Sequence, residues 1–301
     1  MRVAVTGATG LIGPRLVRAL QARGDEVTVL SRNAKRAVEG LPGVEVAQWD
    51  LMSEPAPAQA LEGHDAVVHL AGENIAQRWT PDAKRAIEES RVVGTANLVQ
   101  GLASVAKRPR VLVSSSGVGY YGTHGEEPID EEASAGSDFL ARICLSWERE
   151  AAAAERLDMR VVRLRTGVVL DPKGGALAKM LPPFKLGVGG PVAGGRQYIS
   201  WIHADDLAGI ALAALDGEEW QGAVNATAPN PQRNRDFSRA LGHALRRPAL
   251  LPVPGAALRL MYGEMAMIVT GGVRALPARA LMWGYKFRYA QLDAALVAAL
   301  A

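Results

Sequence analysis

Three glycines stand at a spacing that could hold a phosphate: Gly7, Gly10 and Gly13, in the run TGATGLIG. They follow a short β-branched apolar stretch and lead into a segment of helical periodicity. In that context a glycine turn lets the backbone approach a pyrophosphate, and the helix N-terminus stabilises its charge. Thr9, Leu11 and Ile12 lie between the glycines and add backbone contacts to the same turn. The end of the next apolar stretch reads Ser31-Arg32-Asn33, with no acid to accept from a ribose hydroxyl; Asp25 and Glu26 stand at its beginning. Arg32, with Lys35 close by, suits a charge-assisted contact to a 2′-phosphate, so the residues imply NADP(H) rather than NAD(H). Cys144 has no histidine partner nearby and reads as a small buried hydrophobe. His64 and His69 bracket an apolar run without a set of metal-ligand partners, so no metal is expected. His203, Asp205 and Asp206 have the residue types of a hydrolase triad, but their spacing suits a helix cap.

The elements that must position these residues alternate along the first half of the chain. Residues 3–6, 26–30, 44–48, 66–70, 110–114 and 161–164 read as buried strands. Residues 11–22, 81–106 and 137–157 read as helices, the second opened by Thr80 as N-cap and Pro81 at the first helical position. This rhythm predicts a parallel α/β sheet. Residues 167–195 hold eight glycines and four prolines and are expected to be loop-rich, a place for substrate contacts. No fixed-period repeat or low-complexity linker divides the chain.

The 301 residues suffice for one large α/β domain or two smaller ones, and 49% hydrophobic with 22% charged residues excludes a disordered chain. Lys and Arg number 34 against 31 Asp and Glu, and the charges are scattered. No basic stripe with interleaved aromatics predicts nucleic-acid binding. No apolar run approaches the ~20 residues of a membrane helix, and the N-terminus lacks a signal-peptide pattern. With a single cysteine, a reducing compartment and a cytoplasmic location are expected, without a membrane partner.

These residues together resemble the extended short-chain dehydrogenase/reductase family over essentially the whole chain. The resemblance is carried by Thr6 to Gly13, by Asp50-Leu51, by His69-Leu70-Ala71-Gly72, and by Ser114-Ser115-Ser116 followed by Tyr120-Tyr121-Gly122. Arg163-Leu164-Arg165 and Trp201-Ile202-His203-Ala204-Asp205-Asp206 extend it. A narrower likeness is to the nucleoside-diphosphate-sugar epimerase-like subfamily with an extra C-terminal domain of unassigned function. It rests on Ser116 to Gly122, Asp138-Phe139-Leu140 with Trp147-Glu148, and the tail from Val253-Pro254 through Gly263-Glu264-Met265 and Leu276-Pro277 to Gly284-Tyr285-Lys286-Phe287.

The resemblance implies a Rossmann-type doubly wound parallel sheet with a smaller C-terminal substrate region. Residues 1–165 would form the NADP-binding domain, rejoined by segments around 195–226, and residues 166–301 mainly the substrate region. It adds Asp50, Leu51, Leu70, Ala71, Gly72 and Ser114 to the cofactor contacts already read at Gly7 to Gly13, Ser31 and Arg32. It makes Ser116 the catalytic serine. The family's Tyr-x-x-x-Lys is absent: aligned on Glu148, its two positions hold Leu140 and Cys144. Tyr120, Tyr121 or Glu148 are then the available proton donors, and the adjacent tyrosines on an extended segment would point opposite ways. Glu73, Asn74, Trp79, Arg91, Trp147, Arg165, Arg196 and Trp201 are candidates for a cleft that takes an anionic or sugar-like ligand. The expected activity is that of an atypical oxidoreductase or epimerase on a small polar, nucleotide-sugar-like substrate. The alternative is a non-catalytic NADP(H)-binding regulatory or interaction protein. Members of this fold often pair through their two long helices, so the resemblance allows a homodimer, but the extra C-terminal segment can change that arrangement and the residues do not fix the oligomeric state.

Overall fold

Val3, Ala4 and Val5 are apolar without alternation because strand β1 (Arg2–Thr6) is covered on both faces and paired on both edges. In this computed structural model, which describes residues 1–301, β1 pairs in parallel with β2 (Glu26–Ser31) on one side and β4 (Ala66–His69) on the other. Strand β3 (Glu45–Gln48) extends the sheet beyond β2, and β5 (Val111–Gly117) extends it beyond β4. Strands Arg160–Thr166 and Gly222–Ala226 complete seven parallel strands, in the order 222–226, 160–166, β5, β4, β1, β2, β3. The chain runs outward from β1 to β3, then returns to lay β4 on the far side of β1. That reversal opens a crevice at the carboxyl ends of β1 and β4, where this architecture places ligands. The doubly wound parallel sheet predicted from the sequence is present.

Helices cover both faces. On one, α1 (Gly13–Ala22) buries Leu16, Val17 and Leu20 beside α6 (Ala204–Asp216), in a core shared with Val3, Val5, Val27, Val113 and Val162. On the other, α3 (Pro81–Ala103) packs on α4 (Phe139–Ala152). Thr80 caps α3 by accepting from the Ala83 amide at 3.2 Å, and Asp138 caps α4 by accepting from Ala141 at 2.9 Å. No helix is long and apolar enough to cross a membrane.

Several local expectations change. Residues 167–195 are loop-rich as expected over about half of their length, but the rest forms strand Val168–Leu170 and helix Gly175–Lys185, even though Pro182 and Pro183 lie in that helix. Leu177, Leu181 and Phe184, at helical spacing, bury one face, and this burial outweighs the two amide donors that the prolines remove. Strand β5 runs three residues beyond the expected Ser114, which carries Ser116 on regular strand. Helix α4 stops at Ala152 and continues as a 3₁₀ turn, Ala153–Leu157.

The C-terminal residues fold back into the main body. Asp206, 1% exposed on α6, accepts from the amides of Arg288 at 2.8 Å and Tyr289 at 2.9 Å and from the Tyr285 hydroxyl at 3.3 Å. Ala280 is buried in the same core as α1, with Trp283, Tyr285 and Phe287 packed against it.

Candidate functional site: a nucleotide turn and a buried polar network

The glycine turn leaves β1 with Gly7 at φ +68°, and a Cβ there would stand 2.6 Å from the backbone of Leu70 and Ala71. The turn is therefore pressed into the crevice against the end of β4. Gly10 donates its amide to the Gly7 carbonyl at 2.9 Å. A Cβ on Gly13 would stand 2.2 Å from the Ala8 carbonyl oxygen, so this glycine closes α1 onto the turn itself rather than onto a strand. No side chain caps the α1 N-terminus, unlike those of α3 and α4. The tight glycine cradle and uncapped helix end, with Thr9, Leu11 and Ile12 in the intervening backbone, fit a pyrophosphate.

Arg32 is exposed at the end of β2 without an ion pair, with Lys35 and Arg36 exposed beside it, and Ser31 is half-buried. Asp25 lies at the opposite end of that strand, held by Arg23 and the N-terminal ammonium. Asp50 accepts from the Met52 amide and the Ser53 hydroxyl, both at 3.1 Å, and the Leu51 side chain fills the space above Gly94 of α3. Leu70 and Gly72 reach the crevice edge, with Ala71 buried between them. Ser114 does not reach it: the residue is completely buried in the middle of the sheet and can offer a ligand nothing from its side chain. His69 is also fully buried, bonded to Thr6 Oγ1 at 2.6 Å and Thr95 Oγ1 at 3.0 Å, and burial drives its pKa down to about 4. It stays neutral and ties β1, β4 and α3 together beneath the turn.

Further along the same sheet edge, the expected proton donors form one network. Ser116 donates to Glu148 Oε1 at 2.7 Å. Arg165 grips Glu148 with two parallel bonds, Nε to Oε1 at 2.8 Å and Nη2 to Oε2 at 2.9 Å. Its Nη1 donates to the Tyr121 hydroxyl at 2.9 Å, which in turn donates to Asn225 Oδ1 at 2.7 Å. Burial opposes the charge on Arg165, but the bonds to Glu148 and their charge attraction prevail, and its pKa is raised. Burial pushes Tyr121 up to about 12, with the neighbouring guanidinium only partly offsetting it.

Several sequence expectations are corrected by this network. Arg165 does not face a substrate; it is the buried partner of Glu148, and both are 4% exposed. Glu148 and Tyr121 have their polar atoms committed to protein groups. Tyr120 and Tyr121 do not point opposite ways, because residues 118–121 form a 3₁₀ turn rather than a strand, and both rings meet Arg165. Tyr120 stacks against the guanidinium at 3.5 Å, is half-buried, and has no protein partner on its hydroxyl. Trp201 is fully buried core, donating to the Asn230 carbonyl at 3.0 Å, and Trp79 is buried with its indole N–H on the Ile75 carbonyl at 2.9 Å. Neither lines a cleft. Glu73 is half-buried and Asn74 exposed at the mouth beyond Gly72.

Leu140 and Cys144, one turn apart on α4, both face the end of β5: a Cβ on Gly119 would meet Leu140 at 3.3 Å and the Cys144 sulfur at 4.0 Å. The positions of the missing Tyr and Lys thus face the serine strand but are apolar. Burial, reinforced by the Glu148 charge, pushes the Cys144 thiol up to about 11. Arg91 of α3 supplies a cation nearby. Its guanidinium lies 3.3 to 3.5 Å from where a Cβ on Gly72 would be and 5.0 Å from the Trp147 ring, and no carboxylate pairs with it. Glu131 and Asn225, absent from the sequence reading, complete the network: Glu131 Oε1 accepts from the Asn225 amide at 2.9 Å. Nothing local in the sequence marks them, since they come from a loop and the last sheet strand.

Residues 3–226 match the NAD dependent epimerase/dehydratase family. The chain belongs to that family. Residues 253–299 of this epimerase-family chain match a domain of unknown function, DUF1731. An epimerase family protein SDR39U1 homolog of Arabidopsis thaliana, described as chloroplastic, is 42% identical over 298 residues, covering 98% of this chain and 86% of its own. The epimerase family protein YfhF of Bacillus subtilis is 37% identical, covering 98% and 97%. The crystal structure of human epimerase family protein SDR39U1 with NADPH superposes with a TM-score of 0.88 at 37% identity, covering 99% of this chain and 98% of that one.

Proposed function

We propose that this protein binds NADP(H) in the crevice at Gly7 to Gly13 and uses it for hydride transfer on a small polar substrate, with Tyr120 at the proton-handling position. The cofactor assignment is supported by the glycine cradle, the exposed Arg32 and Lys35, and the human relative solved with NADPH. When bound, the nicotinamide supplies hydride chemistry. The Gly7 to Gly13 backbone holds pyrophosphate charge, Arg32 meets the 2′-phosphate, and the Arg91 guanidinium beside Gly72 draws an anionic or hydroxyl-rich substrate to the mouth.

One observation carries the choice of Tyr120. Of Ser116, Tyr120, Tyr121 and Glu148, it is the residue whose side-chain polar atom no protein group occupies. Ser116 and Glu148 act as positioning groups: they fix Arg165, on which the Tyr120 ring rests. Tyr120→Phe is expected to lower kcat by about 10²- to 10⁴-fold, with NADPH affinity unchanged. Full turnover in that variant, measured across a panel of carbonyl, hydroxyl and nucleotide-sugar substrates, would exclude Tyr120.

The apolar pair Leu140 and Cys144 favours a second reading, an NADP(H)-binding regulator without turnover. It predicts cofactor-dependent association with a partner and no NADPH consumption on any substrate.

A further inference from the structure

A cavity of about 570 Å³ opens at the opposite end of the sheet from the glycine turn, at the starts of strands 160–166 and 222–226. Three arginines reach it, and they differ in what they bind. Arg160 is committed to backbone carbonyls: it donates to those of Ala214 and Trp220 at 2.7 Å and of Leu215 at 3.0 Å. Arg279 donates to the Ala223 carbonyl at 3.0 Å and pairs with Glu132. Arg163 has no hydrogen bond or ion pair, and its Nε is buried without a partner. A buried, unpaired guanidinium nitrogen is costly, and such groups call for an explanation.

Arg163 and Arg279 also converge. A Cβ on Gly222 would lie 2.9 Å from Arg279 Nη1 and 3.4 Å from Arg163 Nη2, so two like charges share one small space. The acids at the cavity offset this only at Arg279. Glu132 is bound to Arg279 with a side chain 77% exposed, and Glu155 is exposed and makes no ion pair, so no acid reaches Arg163. An oxyanion between the two guanidinium groups would satisfy Arg163 and remove the repulsion. Met159, Met282 and Trp283 give the cavity apolar walls, and its volume admits a carbon body as well as the anionic group.

We propose that this cavity is a second ligand site, separate from the cofactor crevice, which takes a small organic oxyanion held by Arg163 and Arg279. The proposal does not depend on the hydride-transfer reading.

The test uses the full chain saturated with NADPH, so that the glycine turn and Arg32 are occupied. Calorimetric unfolding is followed while inorganic phosphate or citrate is added at constant ionic strength, with chloride as the reference. The expected result is a saturable rise in Tm with at least one of the two anions, and the arm that responds tells phosphate from carboxylate. Arg163→Met removes no bond made within the protein and should lower the apparent affinity at least tenfold. If that variant does not fold, modification of the wild-type protein by phenylglyoxal decides the matter: the responding anion should slow modification at Arg163. No rise with either anion, an equal rise in Arg163→Met, or unchanged modification at Arg163 overturns the proposal.

Discussion

His69, Arg165 and Arg32 show three different uses of a charged or chargeable side chain. His69 stays neutral because its burial depresses its pKa to about 4, whereas the unfolded chain takes up the proton near the ordinary value of about 6.5. Between those values the unfolded state binds more protons, so stability rises with pH across this window. The contribution is complete above about pH 6.5 and is lost as pH falls towards 4. Urea unfolding at pH 5 should show about 2 kcal/mol less stability than at pH 7 from this residue, and His69→Asn should flatten the difference. The Glu148–Arg165 pair is buried on both sides, so Glu148→Gln strands a guanidinium and should cost about 3–5 kcal/mol, whereas an apolar replacement of both partners should cost less. A loss below 1 kcal/mol in Glu148→Gln would show that water reaches Arg165. Arg32 is exposed, so its value is in recognition rather than stability. Arg32→Asp should leave Tm nearly unchanged and erode the NADPH preference; an unaltered ratio of NADPH to NADH affinity would place the 2′-phosphate elsewhere.

At the scale of elements, the β1 turn and α1 act as one piece. Gly13→Ala would drive a methyl group into the Ala8 backbone and should cost about 1–3 kcal/mol together with cofactor affinity. Gly24→Ala is the control. That glycine has φ +84° with nothing within 4 Å, so it should cost about 1–2 kcal/mol of backbone strain and leave cofactor binding intact. Much of this level was legible in the sequence, because glycine spacing, apolar runs and the Thr80-Pro81 start are local signals. The 3₁₀ turn 118–121 was not, and treating it as strand misplaced the tyrosines. Nor could residue type separate a substrate arginine from Arg165, whose role depends on a glutamate 17 residues away on another element. Tryptophans 79 and 201 failed for the same reason: an aromatic suits a cleft and a core equally well until its neighbours are known.

At the scale of the molecule, residues 253–299 carry a separate family match, yet the structure binds them to the rest. Ala275 and Leu276 offer carbonyls to Thr227 and Asn225, and Ala280 lies in the main core. A chain ending before Val253 should therefore lose cooperative unfolding rather than yield a stable nucleotide-binding half; a sharp thermal transition in the truncated protein would argue for independent folding. The contacts of Asp206 with Arg288 and Tyr289 extend this to synthesis. On the ribosome, β1 to β4 can pair early, because they precede the other sheet strands and adjoin one another. Asp206 of α6, by contrast, waits for amides made 82 and 83 residues after it. The nascent chain is held open until Arg288 and Tyr289 emerge, so a product terminated before them exposes a buried carboxylate and an uncovered core to proteases and chaperones.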